Sequence, residues 1–533
     1  MPLSRRSVLR AAGASVATAA ATSVAGPFVA PAYSAGRRIA IIGSGYGGAV
    51  AARSLATAGY ACDIIEMGTD WSRMTPTSDG RVHPTMANPN ERAGWFLDRT
   101  EMPFSNILGS PINQPIGRAA GILGIERFAA MKVYVGKGVG GGSLVNGGMA
   151  VTPKRAFFSS VLPTVDADEM YGTYFPRANT MLGARPPALD VLNYAPHYQF
   201  ARLGATQARN AKYAVAQVPN VYDWDYMREE VAKNVPRSAL AQEVIFGNNH
   251  GKKDLTKTVL KDALATGLVR VTPLTEVTDL RRLPDGAYEL SLKTIDFKGA
   301  VLSRRTAVYD RVVLAAGSVG TTRLLLQAQA KGGLTGLSPS VGKGWGPNGN
   351  VMAARYLWTK AVGREQSGIP ALGIDAWDGS AASVFAEIAP FPTGIETFTS
   401  VYLAITNNPN RGTFTWDPTT GSMTLDWNAT MAKPSVDALK AVVNRLNTYN
   451  GGTVRSDLFD DGKQYADYFT YHPLGGAVLG EATDLSGEVK GAEGLFVMDG
   501  SLIPAKIGVN PFVTITAIAQ RNMDRLIAAG RFA

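Results

Sequence analysis

Residues 38–50 read RIAIIGSGYGGAV, an apolar run followed by a glycine turn and a second apolar run. The first part predicts a short buried strand, and the last part begins a helix that ends near Gly59. A second apolar segment, residues 62–65, predicts another strand, and Glu66 follows it directly. Strand, glycine turn, helix, strand and acid in this order are typical of a βαβ unit that binds a dinucleotide.

Each glycine of the turn has a physical reason in this interpretation. Gly43 permits the tight turn, Gly45 lets the backbone approach a pyrophosphate, and Gly48 lets the helix pack on the strand. The helix N-terminus adds free N–H groups and a positive dipole end, and Tyr46 lies within the same predicted contact. Glu66 is placed to bind a ribose hydroxyl, which favours NAD or FAD over NADP. The alternative is an ordinary tight β–α turn.

Composition narrows the class of protein. The 533 residues allow two domains, and 45% hydrophobic against 18% charged residues is typical of a well-cored globular protein. One cysteine, Cys62, rules out an internal disulfide, and four scattered histidines make a Cys/His zinc site a poor hypothesis. The net charge of +10 suits approach to anionic surfaces. Nucleic acid is a poor candidate partner, because no basic run is interleaved with aromatic residues.

The first 35 residues resemble an export signal. Residues 4–10 read SRRSVLR, a twin-arginine pattern, and a weakly apolar, alanine-rich run follows up to Ala25. The run is too short and too rich in alanine for a stable membrane span. We therefore predict a twin-arginine signal peptide over residues 1–35 and a secreted protein, with a disordered basic tail as the alternative.

A second glycine-rich strip occupies residues 134–149, YVGKGVGGGSLVNGGM. A flexible linker is the alternative, but Val139, Leu144, Val145 and Met149 are too apolar for a solvated one. Such a strip predicts backbone pressed against a flat or charged ligand, which favours FAD over NAD because the flavin ring needs more protein around it. The strip contains no histidine, so the flavin is expected to be bound noncovalently.

The rest of the chain predicts an α/β fold in two interleaved domains. A Rossmann-like FAD-binding domain takes residues 36–72, 252–342 and 487–533, and the 131–150 strip contacts the same cofactor. A strand-rich α+β substrate-binding domain takes residues 73–251 and 343–486. The main further elements expected are strands near 268–273, 311–314, 351–358, 383–389, 398–406 and 495–498, helices at 256–265 and 321–330, and a final helix after Pro511.

Residues 102–109, MPFSNILG, form an apolar loop within the irregular segment 71–130. Ordinary loop packing and a lid over an apolar pocket are both compatible with this composition.

Three side chains are candidates for chemistry. His472 precedes a proline, which holds it in extended geometry beside two glycines, and histidine is a natural proton acceptor near neutral pH, although most lone histidines are structural. Asn510 precedes Pro511 and is predicted as the N-cap of the last helix, whose positive end would face a ligand. Glu387 lies in an apolar strand, so burial would raise its pKa and make it a candidate base, unless it is paired or on an exposed edge.

Taken together, these segments resemble the glucose–methanol–choline (GMC) oxidoreductases from about Arg38 to the C-terminus. Within this family they are most similar to the secreted bacterial enzymes that oxidise cholesterol and related sterols with noncovalently bound FAD. The motifs that carry the resemblance are the 43–48 turn, GVGGGSLVNGGM at 138–149, GPNGN at 346–350, FAEIAP at 385–390, YHPLGG at 471–476, DGSLIP at 499–504 and GVNP at 508–511.

The resemblance implies a two-step reaction on the sterol. The 3β-hydroxyl is oxidised by FAD and dioxygen, which gives hydrogen peroxide, and the Δ5-3-ketone is isomerised to the Δ4-3-ketone. His472 and Asn510 would position the hydroxyl, and Glu387 would move the proton from C4 to C6. Gly142, Asn146, Gly147, Met149, Asp499, Gly500, Asn510 and Phe512 would join the first turn in binding FAD. A monomer with peripheral membrane contact and no metal is expected. The alternatives are oxidation of another alcohol or steroid, a dehydrogenase that passes electrons to a carrier, and a non-catalytic lipid-binding protein.

Overall fold

The computed structural model describes residues 38–241, 243–391 and 393–533. The predicted signal peptide, residues 1–35, lies outside the described residues. All described residues belong to one unit.

The described chain contains runs of consecutive strands, such as β8–β12, and a run of consecutive helices, α2–α6. The helices are α1 Tyr46–Thr57, α2 Arg155–Val161, α3 Ala167–Glu169, α4 Phe175–Leu182, α5 Leu189–Tyr194, α6 Gln199–Asn210, α7 Trp224–Ala232, α8 Val259–Ala265, α9 Gly317–Ala330, α10 Ala429–Asn450 and α11 Phe512–Ala528. The strands are β1 Ile39–Ile42, β2 Cys62–Ile65, β3 Asn106–Ile107, β4 Ser110–Pro111, β5 Leu123–Phe128, β6 Met131–Gly136, β7 Ala214–Gln217, β8 Val269–Thr272, β9 Thr275–Arg282, β10 Tyr288–Ile295, β11 Val301–Tyr309, β12 Arg311–Leu314, β13 Asn350–Tyr356, β14 Leu372–Ala376, β15 Val384–Ala389, β16 Thr399–Thr406, β17 Phe414–Asp417, β18 Ser422–Leu425, β19 Thr453–Val454, β20 Tyr465–Ala466, β21 Phe469–Thr470 and β22 Leu495–Val497.

A five-stranded parallel sheet carries the glycine turn. Its order is β22-β12-β1-β2-β8, and all its neighbours run parallel. Strands β1, β2, β12 and β22 are almost wholly buried on both faces, which explains why they read as largely apolar runs, whereas the edge strand β8 is mostly half-buried. Helices α1 and α11 pack against each other beside this sheet. Because β1 lies in the middle, the turn after it opens at the carboxyl edge of the sheet.

A seven-stranded antiparallel sheet forms the second large layer. Its main order is β19-β13-β16-β15-β14-β7, with β20 paired to β13. Helices α6 and α10 pack on this sheet and bury a separate apolar core with it. The smaller sheets are β11-β10-β9, β21-β6-β5 and the hairpins β17-β18 and β3-β4.

The predicted α/β fold is confirmed, while the two-domain division stays a prediction. Helix α9 begins at Gly317, four residues before the predicted start, because the glycine turn leads straight into the helix. The 71–130 segment, expected to be irregular, contains strand β5. Helix α10, 22 residues long, was not predicted within the strand-rich part, although its apolar residues recur at helical spacing. No described helix is long and apolar enough to cross a bilayer.

Candidate active site

One large cavity of about 480 Å³ opens at the carboxyl edge of the parallel sheet. This volume falls within the range of small-molecule sites. Two sets of predicted residues line it. The predicted cofactor residues on its wall are Gly43, Gly45, Tyr46, Glu66, Gly142, Asn146, Gly147, Met149, Asp499, Gly500, Asn510 and Phe512. The predicted catalytic residues Glu387 and His472 share the same wall with Asn510. Gly48 is the one predicted site residue that does not line it.

The glycines of the first turn take the positions expected of them. Gly43 has φ +98°, and a Cβ there would lie 2.4 Å from the Ala315 carbonyl oxygen. A Cβ on Gly48 would lie 2.1 Å from the Gly43 carbonyl oxygen, so helix α1 can pack on the strand only with glycine here. Gly45 is different, because a Cβ on it would meet no atom within 4 Å. The space beside Gly45 belongs to the cavity.

Glu66 lies in the cavity wall but is already hydrogen-bonded within the turn. Its Oε2 accepts from the Ser44 amide at 3.0 Å and from the Ser44 hydroxyl at 2.6 Å, and its Oε1 accepts from the Gly68 amide at 2.8 Å. These bonds hold the carboxylate beside the turn. Its contact with a ribose stays a prediction.

The two glycine-rich segments, separated in sequence, touch each other. Gly141 has φ +53°, and a Cβ on it would lie 2.8 Å from the Gly45 Cα. Gly142, next in the chain, would carry its Cβ into open space. The Asn146 amide donates to the Tyr46 hydroxyl at 2.5 Å, and the Tyr46 ring stacks on Phe512 at 4.9 Å between centroids. The first turn and the second strip therefore form one continuous backbone surface, which we call the cradle.

Lys252 binds the backbone of this second strip, a role that the sequence did not predict. Its side chain is fully buried, and its Nζ donates to the carbonyls of Leu144 and Asn146 at 2.9 and 2.8 Å. Burial lowers the pKa of Lys252 to about 7. The polar segment around Lys252 gave no signal that the side chain would be buried more than 100 residues from its partners.

Glu387 lies on an apolar face of the antiparallel sheet. In register it is flanked by Gly373 on β14 and Leu403 on β16, and Leu403 is flanked in turn by Met352 on β13. The carboxyl group is 0% exposed, and neither oxygen has a hydrogen-bond partner among the described residues. Burial raises the pKa of Glu387 to about 8, and the side chain of Asn510 opposes the shift in part. Glu387 is therefore mostly neutral at pH 7.

His472 lies beside Asn510 in the same cavity. The Asn510 Nδ2 is 3.5 Å from the His472 Nε2, and the Asn510 Oδ1 is buried with no described partner. Loss of hydration lowers the pKa of His472 to about 3, so the ring is neutral at physiological pH. The structure thus brings the three predicted catalytic side chains to one place.

Asn350 sets the tautomer of His472, a role that sequence reasoning did not assign. The Asn350 Oδ1 accepts from the Thr470 hydroxyl at 2.9 Å, which leaves its Nδ2 to face the His472 Nδ1 at 3.0 Å. Because Nδ1 then accepts, the ring proton is assigned to Nε2. His472 in this tautomer donates toward the cavity. This arrangement favours positioning a hydroxyl oxygen over the proton acceptance expected from the sequence.

The predicted capping role of Asn510 is wrong. Helix α11 begins at Phe512 with Pro511 as its N-cap, and no side chain caps it. Asn510 precedes the helix, and its amide is directed toward His472 instead. Asp499 is likewise turned into the protein, where it accepts from the Gly317 amide at 3.0 Å and the Thr321 hydroxyl at 2.5 Å.

The 102–109 loop contributes to the wall of the cavity. Pro103 and Phe104 line it, and the buried Phe104 ring lies 5.1 Å from Phe391 and 5.7 Å from Phe459. Leu108, near the end of the loop, is 60% exposed. Whether the loop acts as a lid stays a prediction.

Comparison with known proteins agrees with this geometry. Residues 348–460 match the model "GMC oxidoreductase, C-terminal", and residues 412–519 match the model "GMC oxidoreductase". The fold is similar to that of a fungal aryl-alcohol oxidase, with a TM-score of 0.62 at 13% identity over 93% of this chain and 99% of that one. It is also similar to that of pyridoxine 4-oxidase from Mesorbium loti, with a TM-score of 0.58 at 14% identity over 92% and 99%.

The relatives found by sequence comparison are also named as oxidases. The chain is 24% identical to a cholesterol oxidase of Mycobacterium tuberculosis strain H37Rv over 91% of this chain and 90% of the relative. It is 23% identical to a cholesterol oxidase of Acinetobacter baumannii over 92% and 94%. A 63-residue segment, 11% of this chain and 8% of the relative, is 43% identical to a long-chain-alcohol oxidase of Arabidopsis thaliana.

Together, the glycine turn, the cavity at the edge of the parallel sheet and these similarities are consistent with the fold of the GMC oxidoreductases. The family matches over residues 348–519 support the GMC oxidoreductases as its family.

The contrast between Gly45 and Gly48 gives a test of the cradle. Gly48→Ala should lower the free energy of unfolding by about 3 kcal/mol, because the new methyl group would press on a backbone carbonyl. Gly45→Ala should change it by less than about 1 kcal/mol, since φ −67° suits alanine and no protein atom is near. Gly45→Ala should nevertheless lose flavin during gel filtration, measured by the ratio of visible to ultraviolet absorbance. Full flavin retention in Gly45→Ala would contradict the assignment of that space to the cofactor.

Proposed function

We propose that this protein oxidises the 3β-hydroxyl of cholesterol and related sterols with FAD and dioxygen, and isomerises the product to the 4-en-3-one. One observation carries the proposal. A protonatable carboxyl group lies unpaired on an apolar sheet face, in the same cavity as His472 and Asn510. Oxidation of an alcohol alone gives no reason to bury a free carboxyl group in this way, whereas moving a proton on an apolar substrate does. The two bacterial relatives named cholesterol oxidase support the choice of substrate.

The residues present fit a noncovalently bound FAD. Open space at Gly45 and Gly142, between the start of α1 and the second strip, leaves backbone free to approach a diphosphate. Tyr46, Asn146 and Phe512 would hold the flavin end. When bound, FAD supplies the hydride acceptor for the alcohol carbon and passes both electrons to dioxygen, so that sterol and dioxygen give ketone and hydrogen peroxide.

The neutral His472 and Asn510 would bind the hydroxyl group. The His472 Nε2–H would donate to the hydroxyl oxygen, and the unpartnered Asn510 Oδ1 would accept from the hydroxyl proton. Both contacts orient the carbinol C–H bond without placing a charge in the cavity, and the hydroxyl proton, which neither neutral group retains, ends in the hydrogen peroxide. A neutral donor also suits a substrate that enters from an apolar phase.

Glu387 would then move one proton. In its ionised form it removes the proton at C4 of the Δ5-3-ketone and returns it at C6, which shifts the double bond to Δ4 with no change in composition. The apolar neighbours Leu403 and Met352 exclude water from this end of the cavity. A base with a raised pKa in a dry site suits the weak acidity of such a carbon.

The local similarity to a long-chain-alcohol oxidase favours a second candidate, oxidation of a linear aliphatic alcohol. The decisive test is an anaerobic titration of the yellow protein with cholesterol, followed by air. We expect the flavin to bleach and, after air, to recover with one hydrogen peroxide per ketone formed. Bleaching by a long-chain alcohol but not by cholesterol would favour the second candidate. Slow recovery in air without peroxide would indicate a dehydrogenase, and no bleaching by any alcohol would leave a lipid-binding protein.

Glu387→Gln should separate the two steps. Hydroxyl oxidation should stay within about threefold of the parent, while formation of the conjugated enone should fall at least about a hundredfold, because the amide cannot take the proton. The enone is followed by its ultraviolet absorbance, and Glu365→Gln, on the surface, is the matched control.

The pH profile of the parent protein checks the same role. The kcat/KM for isomerising the 5-en-3-one should rise tenfold per pH unit up to about pH 8 and then level off, since only ionised Glu387 acts as a base. A profile already flat from about pH 5, as for a glutamate with an ordinary pKa of about 4.3, would contradict this.

We also propose that the protein is exported as a monomer through its twin-arginine segment and meets sterols at membrane surfaces. The exposure of Leu108, at the end of the loop that lines the cavity, supports contact of this loop with a lipid surface. Leu108→Ser should reduce the fraction that sediments with phosphatidylcholine–cholesterol vesicles. Leu302→Ser should not, because Leu302 is about as exposed, at 65% against 60%, but lies on strand β11. Equal binding by both variants would argue against contact through the loop.

A further inference from the structure

The segment Gly346–Asn350 lies between the two loops that carry His472 and Asn510. On one side, Gly346 and Leu474 exchange two backbone hydrogen bonds of 3.0 Å. The Thr470 hydroxyl oxygen, whose proton is donated to Asn350 Oδ1 at 2.9 Å, also lies 3.1 Å from the Pro347 carbonyl oxygen, so this one proton is at most shared between them. With the Asn350 contact to the imidazole, these bonds hold the His472 loop against the segment.

On the other side, Asn348 makes three hydrogen bonds to the loop that leads to Asn510. Its backbone amide donates to the Ala505 carbonyl at 3.0 Å. Its Oδ1 accepts from the Ile507 amide at 2.8 Å, and its Nδ2 donates to the Val509 carbonyl at 2.8 Å. The side chain is 0% exposed, so water does not compete for these groups.

The bond to Val509 acts close to the catalytic amide. The Val509 carbonyl belongs to the same planar peptide unit as the Asn510 nitrogen, so fixing that carbonyl also fixes the plane from which Asn510 starts. The loop itself is irregular, with φ +58° at Ala505 and +79° at Gly508. No regular secondary structure holds residues 505–510, which leaves the Asn348 side chain to orient this peptide.

We propose that Asn348 is a positioning residue that acts through Asn510. It does not line the cavity and touches no substrate, but it holds the backbone that aims the Asn510 amide at the His472 imidazole. The inference rests on the proposed function only in that Asn510 must contribute to oxidation of an alcohol.

The backbone conformation of Asn348 allows its side chain to be removed without straining the turn. Its φ of +56° is strained for alanine but freely adopted by glycine. Asn348→Gly therefore removes both side-chain bonds and leaves the backbone turn unstrained. We expect the rate of anaerobic flavin reduction by substrate to fall roughly 10- to 100-fold, the effect of a small misplacement of a catalytic group.

Coupling to Asn510 distinguishes positioning from general support. In an Asn510→Ala background, Asn348→Gly should cost less than about threefold, because the group that it positions is already absent. Full additivity in the double variant would overturn the proposal. Asn408→Ala is the control, since Asn408 is also buried and bonded to backbone, at the Met431 carbonyl, but lies outside the cavity. It should lower thermal stability without coupling to Asn510.

A crystal structure of Asn348→Gly gives a readout independent of catalysis. The Asn510 Nδ2 should leave its position 3.5 Å from the His472 Nε2, while His472, held by Asn350, should stay in place. An unmoved Asn510 would overturn the inference even if no tested alcohol reduces the flavin. Failure of the parent protein to react would instead count against the proposed function alone.

Discussion

The whole site depends on direct backbone contact between the two glycine-rich segments. Gly43 and Gly48 allow the first turn to close on itself, and Gly141 lies against Gly45 with no room for a side chain. Because of these contacts the backbone of both segments faces the cavity at Gly45 and Gly142, next to the N-terminus of α1. Methyl groups at the contact positions would separate the strip from the turn, and the cradle would no longer be continuous.

The opposite wall shows how one environment sets two pKa values in opposite directions. Burial raises the pKa of Glu387 to about 8 and lowers that of His472 to about 3, so both groups are mostly uncharged at pH 7. In each case burial disfavours the charged form. An apolar molecule entering this end of the cavity would therefore meet Glu387 and His472 mostly in their uncharged forms.

Local sequence patterns allowed much of the fold and of the site to be predicted. Features that depend on long-range contacts could not be predicted. The βαβ unit and the second glycine strip are read within short windows, so their place in the cavity was accessible from sequence. Helix α10 was overlooked because Pro434 lies inside it and its neighbours read as strands. The interpretation of Asn510 as a cap failed because its side-chain amide faces the imidazole of His472, which is 38 residues away in sequence. Lys252 could not be recognised, since nothing local predicts that a lysine will bind two carbonyls of a distant loop.

The three predicted catalytic side chains belong to different parts of the fold, so their alignment depends on long-range contacts. Glu387 comes from the antiparallel sheet, whereas Asn510 immediately precedes α11, which packs beside the parallel sheet. The segment Gly346–Asn350 bonds to the loops of both His472 and Asn510 and continues directly into β13 of the antiparallel sheet. One short stretch of chain thus relates all three groups. Because both polar side chains are bonded to this one stretch, their mutual geometry depends on it rather than on either sheet alone.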